Sequence, residues 1–155
     1  MEEYEKAIIL IAREKIKILV KFPATDELVE DLETRLGVAL PKSYKKMLGE
    51  FGILLFGGRM IYGIGKNGLE GDAAPNVVFA TKDRRENGEI TDQMVEVMPS
   101  GYGPYFVIDC AEMNDQAEAP VYEIDEAGYR HGKRRIADSF GEFLLGEVND
   151  LLESA

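Results

Sequence analysis

The segment Leu40–Gly52, LPKSYKKMLGEFG, leaves little freedom in what it can form. Pro41 belongs in the first turn of a helix, where its missing N–H costs nothing and its fixed φ is already helical. Tyr44, Met47, Leu48 and Phe51 then recur at +3, +4 and +7, so one stripe is apolar. Lys42, Lys45, Lys46 and Glu50 fall on the other side, and Gly52 can adopt the left-handed conformation that ends the helix. A helix striped in this way must bury that face against another element. Near the end of the chain, Ile136–Leu144 starts a second such helix. Ser139 reads as its N-cap, Glu142 as the other half of a capping box, and Phe140, Phe143, Leu144, Val148, Leu151 and Leu152 as its inner face.

Between and before these helices the pattern is mixed. Residues 3–20 read as a charged, apolar-striped helix, although Lys15–Phe22 also alternates with period two as a strand would. The helix is expected to run into Ile16, and Pro23 closes the segment. Thr25 or Asp26 caps a further helix with Leu28, Val29, Leu32 and Leu36 on its buried stripe and Gly37 at its end. It forms a helical hairpin with the Pro41 helix. Ile53–Phe56 and Arg59–Ile64 read as strands around Gly57-Gly58, and Asn76 caps a helix running to about Glu86. Met94–Met98, Tyr105–Cys110 and Pro120–Ile124 are strand-like, and Tyr129–Arg135 is expected to pair back as the next strand. The expected fold is α+β, one domain with a mostly antiparallel or mixed sheet, flanked by the helical hairpin and a C-terminal helix.

Taken in order, Leu40, Pro41, Tyr44, Leu48, Gly52, Gly57, Gly58, Ser139, Phe140, Phe143 and Leu144 resemble the signature of the SUKH superfamily. That superfamily holds the yeast regulator of cell-wall assembly and many bacterial immunity proteins. The resemblance covers roughly residues 25–152, with residues 1–22 as an N-terminal helical extension. The family's Asn-Gly-Gly after the second helix is replaced here by Phe51-Gly52 and Gly57-Gly58, and the chain has no Trp, although aromatic residues often line the family's central groove. The resemblance implies a non-enzymatic binding domain that neutralises a cognate toxin, typically a nuclease. A regulatory scaffold of the same fold is the alternative.

Composition narrows the chemistry. With 45% hydrophobic and 30% charged residues the chain is that of a folded globular domain. Ala7–Ala12 has acidic residues before it and Arg13 after it, the wrong flanks for a signal peptide, and no apolar run is long enough for a membrane span. The single cysteine, Cys110, fits a reducing cytoplasm. The net charge of −11 argues against direct nucleic-acid binding. From Glu70 to Glu126 fourteen acidic residues face three basic ones, so the whole excess lies there. Such a balance suits a solvated surface, or a field that attracts a basic partner.

No motif assembles a nucleophile, a base and an oxyanion donor. Gly63-x-Gly65-x-x-Gly68 is followed by more loop rather than by the helix that phosphate binding requires. His131 sits in a basic run, Cys110 ends an apolar strand as a buried thiol would, and one Cys with one His makes no ordinary zinc site. Asp109, Glu112, Asp115 and Glu118 lack the spacing of a calcium loop. No catalytic residue, cofactor or metal is therefore assigned, and an enzyme would need a pocket the sequence does not reveal. The loop Pro99–Pro104 places Tyr102 between glycines, an aromatic suited to an interface. The expected partner is a basic protein, a cognate toxin domain, with no membrane contact and with this chain monomeric when free. The expected contact residues are Tyr102, Glu112, Asp115, Glu118, Asp125 and Glu126.

Overall fold

A computed structural model describes residues 1–154. Five helices and two antiparallel sheets pack around one main core: α1 (Glu2–Arg13), α2 (Asp26–Leu36), α3 (Lys42–Phe51), β1 (Leu54–Phe56), β2 (Arg59–Ile61), α4 (Val77–Glu86), β3 (Met94–Pro99), β4 (Tyr105–Asp109), β5 (Val121–Ile124), β6 (Lys133–Ala137) and α5 (Phe140–Glu153). The fold is α+β. Strands β1 and β2 form a small hairpin, and the larger sheet has the order β3-β4-β5-β6. Every ladder is antiparallel, so the mixed alternative falls away.

The helix starts follow the polar residues that mark them. Thr25 accepts the Leu28 N–H at 3.1 Å, Asn76 that of Phe79 at 3.0 Å, and Ser139 that of Glu142 at 3.0 Å. Glu142 completes its side of the cap one residue early, accepting the Asp138 N–H at 3.0 Å. Pro41 lies just outside α3 as its N-cap, with extended ψ and no side chain to accept a bond.

The first segment differs from expectation. Helix α1 stops at Arg13, and Lys15 turns the backbone to φ 54°. Beyond it the chain is extended: Leu19 N–H donates to Leu55 O at 3.1 Å and Phe22 N–H to Phe51 O at 2.8 Å. The period-two pattern of Lys15–Phe22 therefore reports an extended strap along the β1 side of the molecule, not helix. Helix α1 packs along α5, putting Tyr4, Ala7 and Ile11 into the core. Helix α2 packs on α3 and α4 rather than on α5.

The larger sheet buries both faces. Val95, Phe106, Ile108, Val121 and Ala137 join the main core beneath the helices, while Met94, Tyr105, Val107 and Ile124 form a second cluster with Ile90. Tyr44, Leu48, Phe140 and Phe143 are all buried, as their stripes require. Tyr44 and Phe140 meet edge-to-face at 5.1 Å, and the Tyr44 hydroxyl donates to Tyr62 O at 2.7 Å.

Candidate functional site

The ladder fixes where each candidate residue lies. Tyr105 pairs with Ile124 and Ile124 with Lys133, so the β3–β4 and β5–β6 turns share one end of the sheet. That end carries Tyr102, Asp125 and Glu126. The β4–β5 connection lies at the opposite end and carries Glu112, Asp115 and Glu118. A strand the length of β4 separates the two groups by on the order of 15 Å. The six residues are thus two groups, not one patch.

At the first end Tyr102 is 72% exposed. Its N–H donates to Ser100 Oγ at 3.2 Å, and its hydroxyl to Glu123 Oε2 at 3.2 Å. The charge of Glu123 pushes the phenol pKa above its ordinary value. Gly103, at φ +118°, lets the loop pass so close to Glu126 that a Cβ there would lie 2.5 Å from Glu126 Oε2. Asp125 folds its carboxylate onto the Ala127 N–H at 2.8 Å, an Asx turn that sets the β5–β6 corner.

Beside Tyr102 a groove of about 380 Å³ opens between the β1–β2 turn, the β3–β4 loop and the end of α5. Arg59 crosses it, with Nε 3.2 Å from Glu147 Oε1 and a terminal nitrogen 3.1 Å from Asp150 Oδ2. Burial raises the Glu147 pKa in spite of Arg59. Sequence reasoning missed this trio. Glu147 and Asp150 are one turn apart on α5, but their shared partner lies 88 and 91 residues away.

At the second end the carboxylates are largely committed. Glu112 accepts from the Tyr122 hydroxyl at 2.9 Å and lies 3.6 Å from Lys133 Nζ and 3.5 Å from Arg135. Lys133 also reaches Asp109 at 3.0 Å and stands 4.2 Å over the Tyr122 ring. Asp115 is exposed. Glu118 is not a surface acid. It is 5% exposed, and its carboxylate takes Ser43 N–H at 3.0 Å and Ser43 Oγ at 2.7 Å. It supplies the start of α3 with the acceptor Pro41 lacks, so its reading as a contact residue is corrected.

A further cluster lies beneath α4. Arg84 holds Glu96 at 3.0 Å and Glu89 at 2.7 Å, and its guanidinium stacks 3.7 Å over the Tyr105 ring. Among the described residues, Tyr105 Oη is the one buried side-chain polar atom with no hydrogen-bond partner. Burial pushes the Glu96 pKa up despite Arg84. For Arg84, burial alone would lower the pKa, but the bonds to Glu96 and Glu89 outweigh it and raise the value.

Cys110 is buried, and burial pushes its thiol up to about 12 with Asp109 adding to the effect. His131 sits in the exposed turn at the other end of the sheet. Gly65 and Gly68 close a tight loop of their own well before α4 begins. No group of three or more His, Cys, Asp or Glu side chains converges for a metal among the described residues. None of their helices is long and apolar enough to cross a membrane.

Helical hairpin, small hairpin, four-stranded sheet and closing helix together define a single α+β module. A protein-family model described as SMI1-KNR4 cell-wall, SUKH_6, matches residues 26–144, from the first residue of α2 into α5. The chain belongs to this family.

Proposed function

We propose that this protein is a binding domain of the immunity type, which captures a cognate bacterial toxin of the nuclease kind and works without catalysis of its own. The observation that carries this reading is the sheet end where exposed Tyr102 stands with Glu123, Asp125 and Glu126. A nuclease holds its substrate in a basic cleft. Acidic side chains on two short hairpins can occupy such a cleft by the same Coulomb attraction, and a tyrosine adds contact area at low entropic cost. Glu112 and Asp115, at the far end, contribute to the long-range field rather than to that contact. The partner is a basic protein, with no direct nucleic-acid or membrane contact. The chain is a monomer when free, in the cytoplasm.

Family membership supports a binding or regulatory role in general. The family description also names the cell wall, which favours a second reading, a regulatory scaffold with no toxin partner. The two separate in one experiment. The tagged protein is co-expressed with the product of the neighbouring gene, and the complex is isolated and assayed for nuclease activity. A stoichiometric, inactive complex that the combined variant Tyr102→Ala, Asp125→Asn, Glu126→Gln weakens at least ~tenfold is the expected result. A protein that neither binds nor inhibits that product would move the reading to the scaffold.

A further inference from the structure

The end of α4 brings one guanidinium beneath the β5–β6 turn. Asn87 closes the helix and Gly88, at φ +71°, reverses the chain, its N–H donating to Arg85 O at 3.1 Å. The reversal returns Glu89 to the last turn of α4. Its N–H donates to Arg84 O at 3.0 Å, and its carboxylate lies 2.7 Å from a terminal nitrogen of Arg84. On the other flank Glu96 holds Arg84 Nε at 3.0 Å. Glu96 is tied to α4 a second time, its N–H donating to Thr81 Oγ1 at 3.0 Å. Arg84 is thus fixed from both sides by charge-assisted bonds.

Two arms lead from this guanidinium to the turn at residues 125–132. One is Tyr105, whose ring it covers at 3.7 Å and whose ladder partner Ile124 is the last residue before the turn. The other is Glu89, whose carbonyl accepts Tyr129 N–H at 2.9 Å. Gly128 is buried against the same residue. At φ +114°, a Cβ there would stand 3.1 Å from Glu89 Cα and 3.3 Å from Glu89 O. Next along the chain Ile90 is buried in the second cluster, on which Tyr129 packs. Asp125 and Glu126 stand exposed between these two points of attachment. Gly128 and Tyr129 meet Glu89 through its backbone and Cβ, whereas its carboxylate bonds to Arg84 and, among the described residues, to none in the turn. The carboxylate therefore acts on the turn by holding that backbone in place.

We propose that Arg84 and Glu89 are positioning residues for the contact surface: the guanidinium fixes the Glu89 backbone as the bed on which the β5–β6 turn rests, so that Asp125 and Glu126 are held in one arrangement before a partner arrives. The proposal rests on the reading of that end as the contact surface. A turn ordered in advance avoids the entropy cost of ordering it during binding.

Glu89→Ala tests the arrangement in the full chain, because alanine keeps the backbone and Cβ that the turn touches and removes the carboxylate that Arg84 holds. Amide exchange in the free, isotope-labelled protein should quicken at least ~tenfold at Tyr129 and His131, while the amides of β4 stay within about threefold of their rates. Glu89→Gln, whose side-chain oxygen still accepts from Arg84, should restore slow exchange at both. Unchanged exchange in the turn, or quickening shared equally with β4, would overturn the proposal. So would a Glu89→Gln variant as loose as Glu89→Ala, since the bond to Arg84 would then not be what holds the turn. Binding is measured separately, against the product of the neighbouring gene. Glu89→Ala should bind at least ~threefold more weakly than Glu89→Gln, which has lost the same charge. Equal affinity of those two, with loss in Asp125→Asn, Glu126→Gln, would overturn the proposal and leave the contact surface standing. Affinity unaltered in all three would remove the contact surface and the proposal with it.

Discussion

Glu118 shows how a single residue changes meaning between sequence and structure. Pro41 brings no acceptor to the start of α3, so the first N–H groups of that helix need partners from elsewhere. The 114–118 loop provides them: Ala117 O accepts Lys42 N–H at 2.8 Å, and Glu118 takes both donors of Ser43. Glu118→Ala should therefore lower stability by about 1–3 kcal/mol, the cost of stranding buried donors. A urea midpoint that falls with an unchanged slope is the expected signature, and an unchanged midpoint would contradict it. Glu96 makes the opposite kind of statement. The residue is 3% exposed, and burial raises its carboxyl pKa more than Arg84 lowers it. A carboxyl with a raised folded-state pKa holds its proton more tightly when folded. Its contribution to stability is fully present below the ordinary value of 4.5 and is lost as pH rises through the raised one. Carbon-13 titration of Glu96 should show an inflection above 4.5, whereas one below it would mean that Arg84 wins.

At the scale of elements, much was legible because much was local. The caps at Thr25, Asn76 and Ser139, and the stripes of α2, α3 and α5, are written within a few residues, and each forms where its pattern places it. Strands β3, β4 and β5 were legible from their apolar runs and turns. Strand β6, expected over Tyr129–Arg135, instead forms at Lys133–Ala137 from a basic stretch, and residues 129–132 belong to the turn before it. The strap at 16–22 was not, since its hydrogen-bond partners, Leu55 and Phe51, lie far along the chain and a left-handed Lys15 ends the helix without a glycine to announce it. The candidate site divides the same way. Exposed Tyr102 could be read from its glycine-flanked turn, but the burial of Glu118 and the Arg59–Glu147–Asp150 groove depend on contacts no local pattern encodes. Gly52 joins both scales. Sequence assigns it to the end of α3; structure adds that a Cβ there would collide with Phe22 O and lie 2.5 Å from Ile64 O, where the strap and the segment after β2 cross. Gly52→Ala must strain a backbone at φ +76° and push those crossings apart. It should cost more than about 3 kcal/mol, beyond what a surface helix end would show. A loss below about 1 kcal/mol would mean the crossing yields.

For the whole molecule, charge is the property that most shapes encounter with a partner. The acidic excess between Glu70 and Glu126 is partly stitched to the basic β6 strand, through Lys133 to Asp109 and Glu112, Arg134 to Glu123, and Arg135 to Glu112. At the Tyr102 end Asp125 and Glu126 remain exposed and outside any ion pair among the described residues, beside exposed Arg130. Asp72, Asp83, Glu86, Asp92 and Asp115 are exposed and unpaired elsewhere, so Asp125 and Glu126 supply only the share of the steering that lies at this end. Replacing them should slow association, while Tyr102→Ala should mainly speed dissociation. The direct test is the association rate constant of this protein with the product of the neighbouring gene, the partner proposed above, measured by stopped flow as salt is raised. The account predicts a fall of roughly tenfold or more as the Debye length shrinks from ~30 Å to ~8 Å, with a shallower dependence for Asp125→Asn, Glu126→Gln. A rate indifferent to salt and identical in the variant would contradict capture of a basic partner through this end of the sheet.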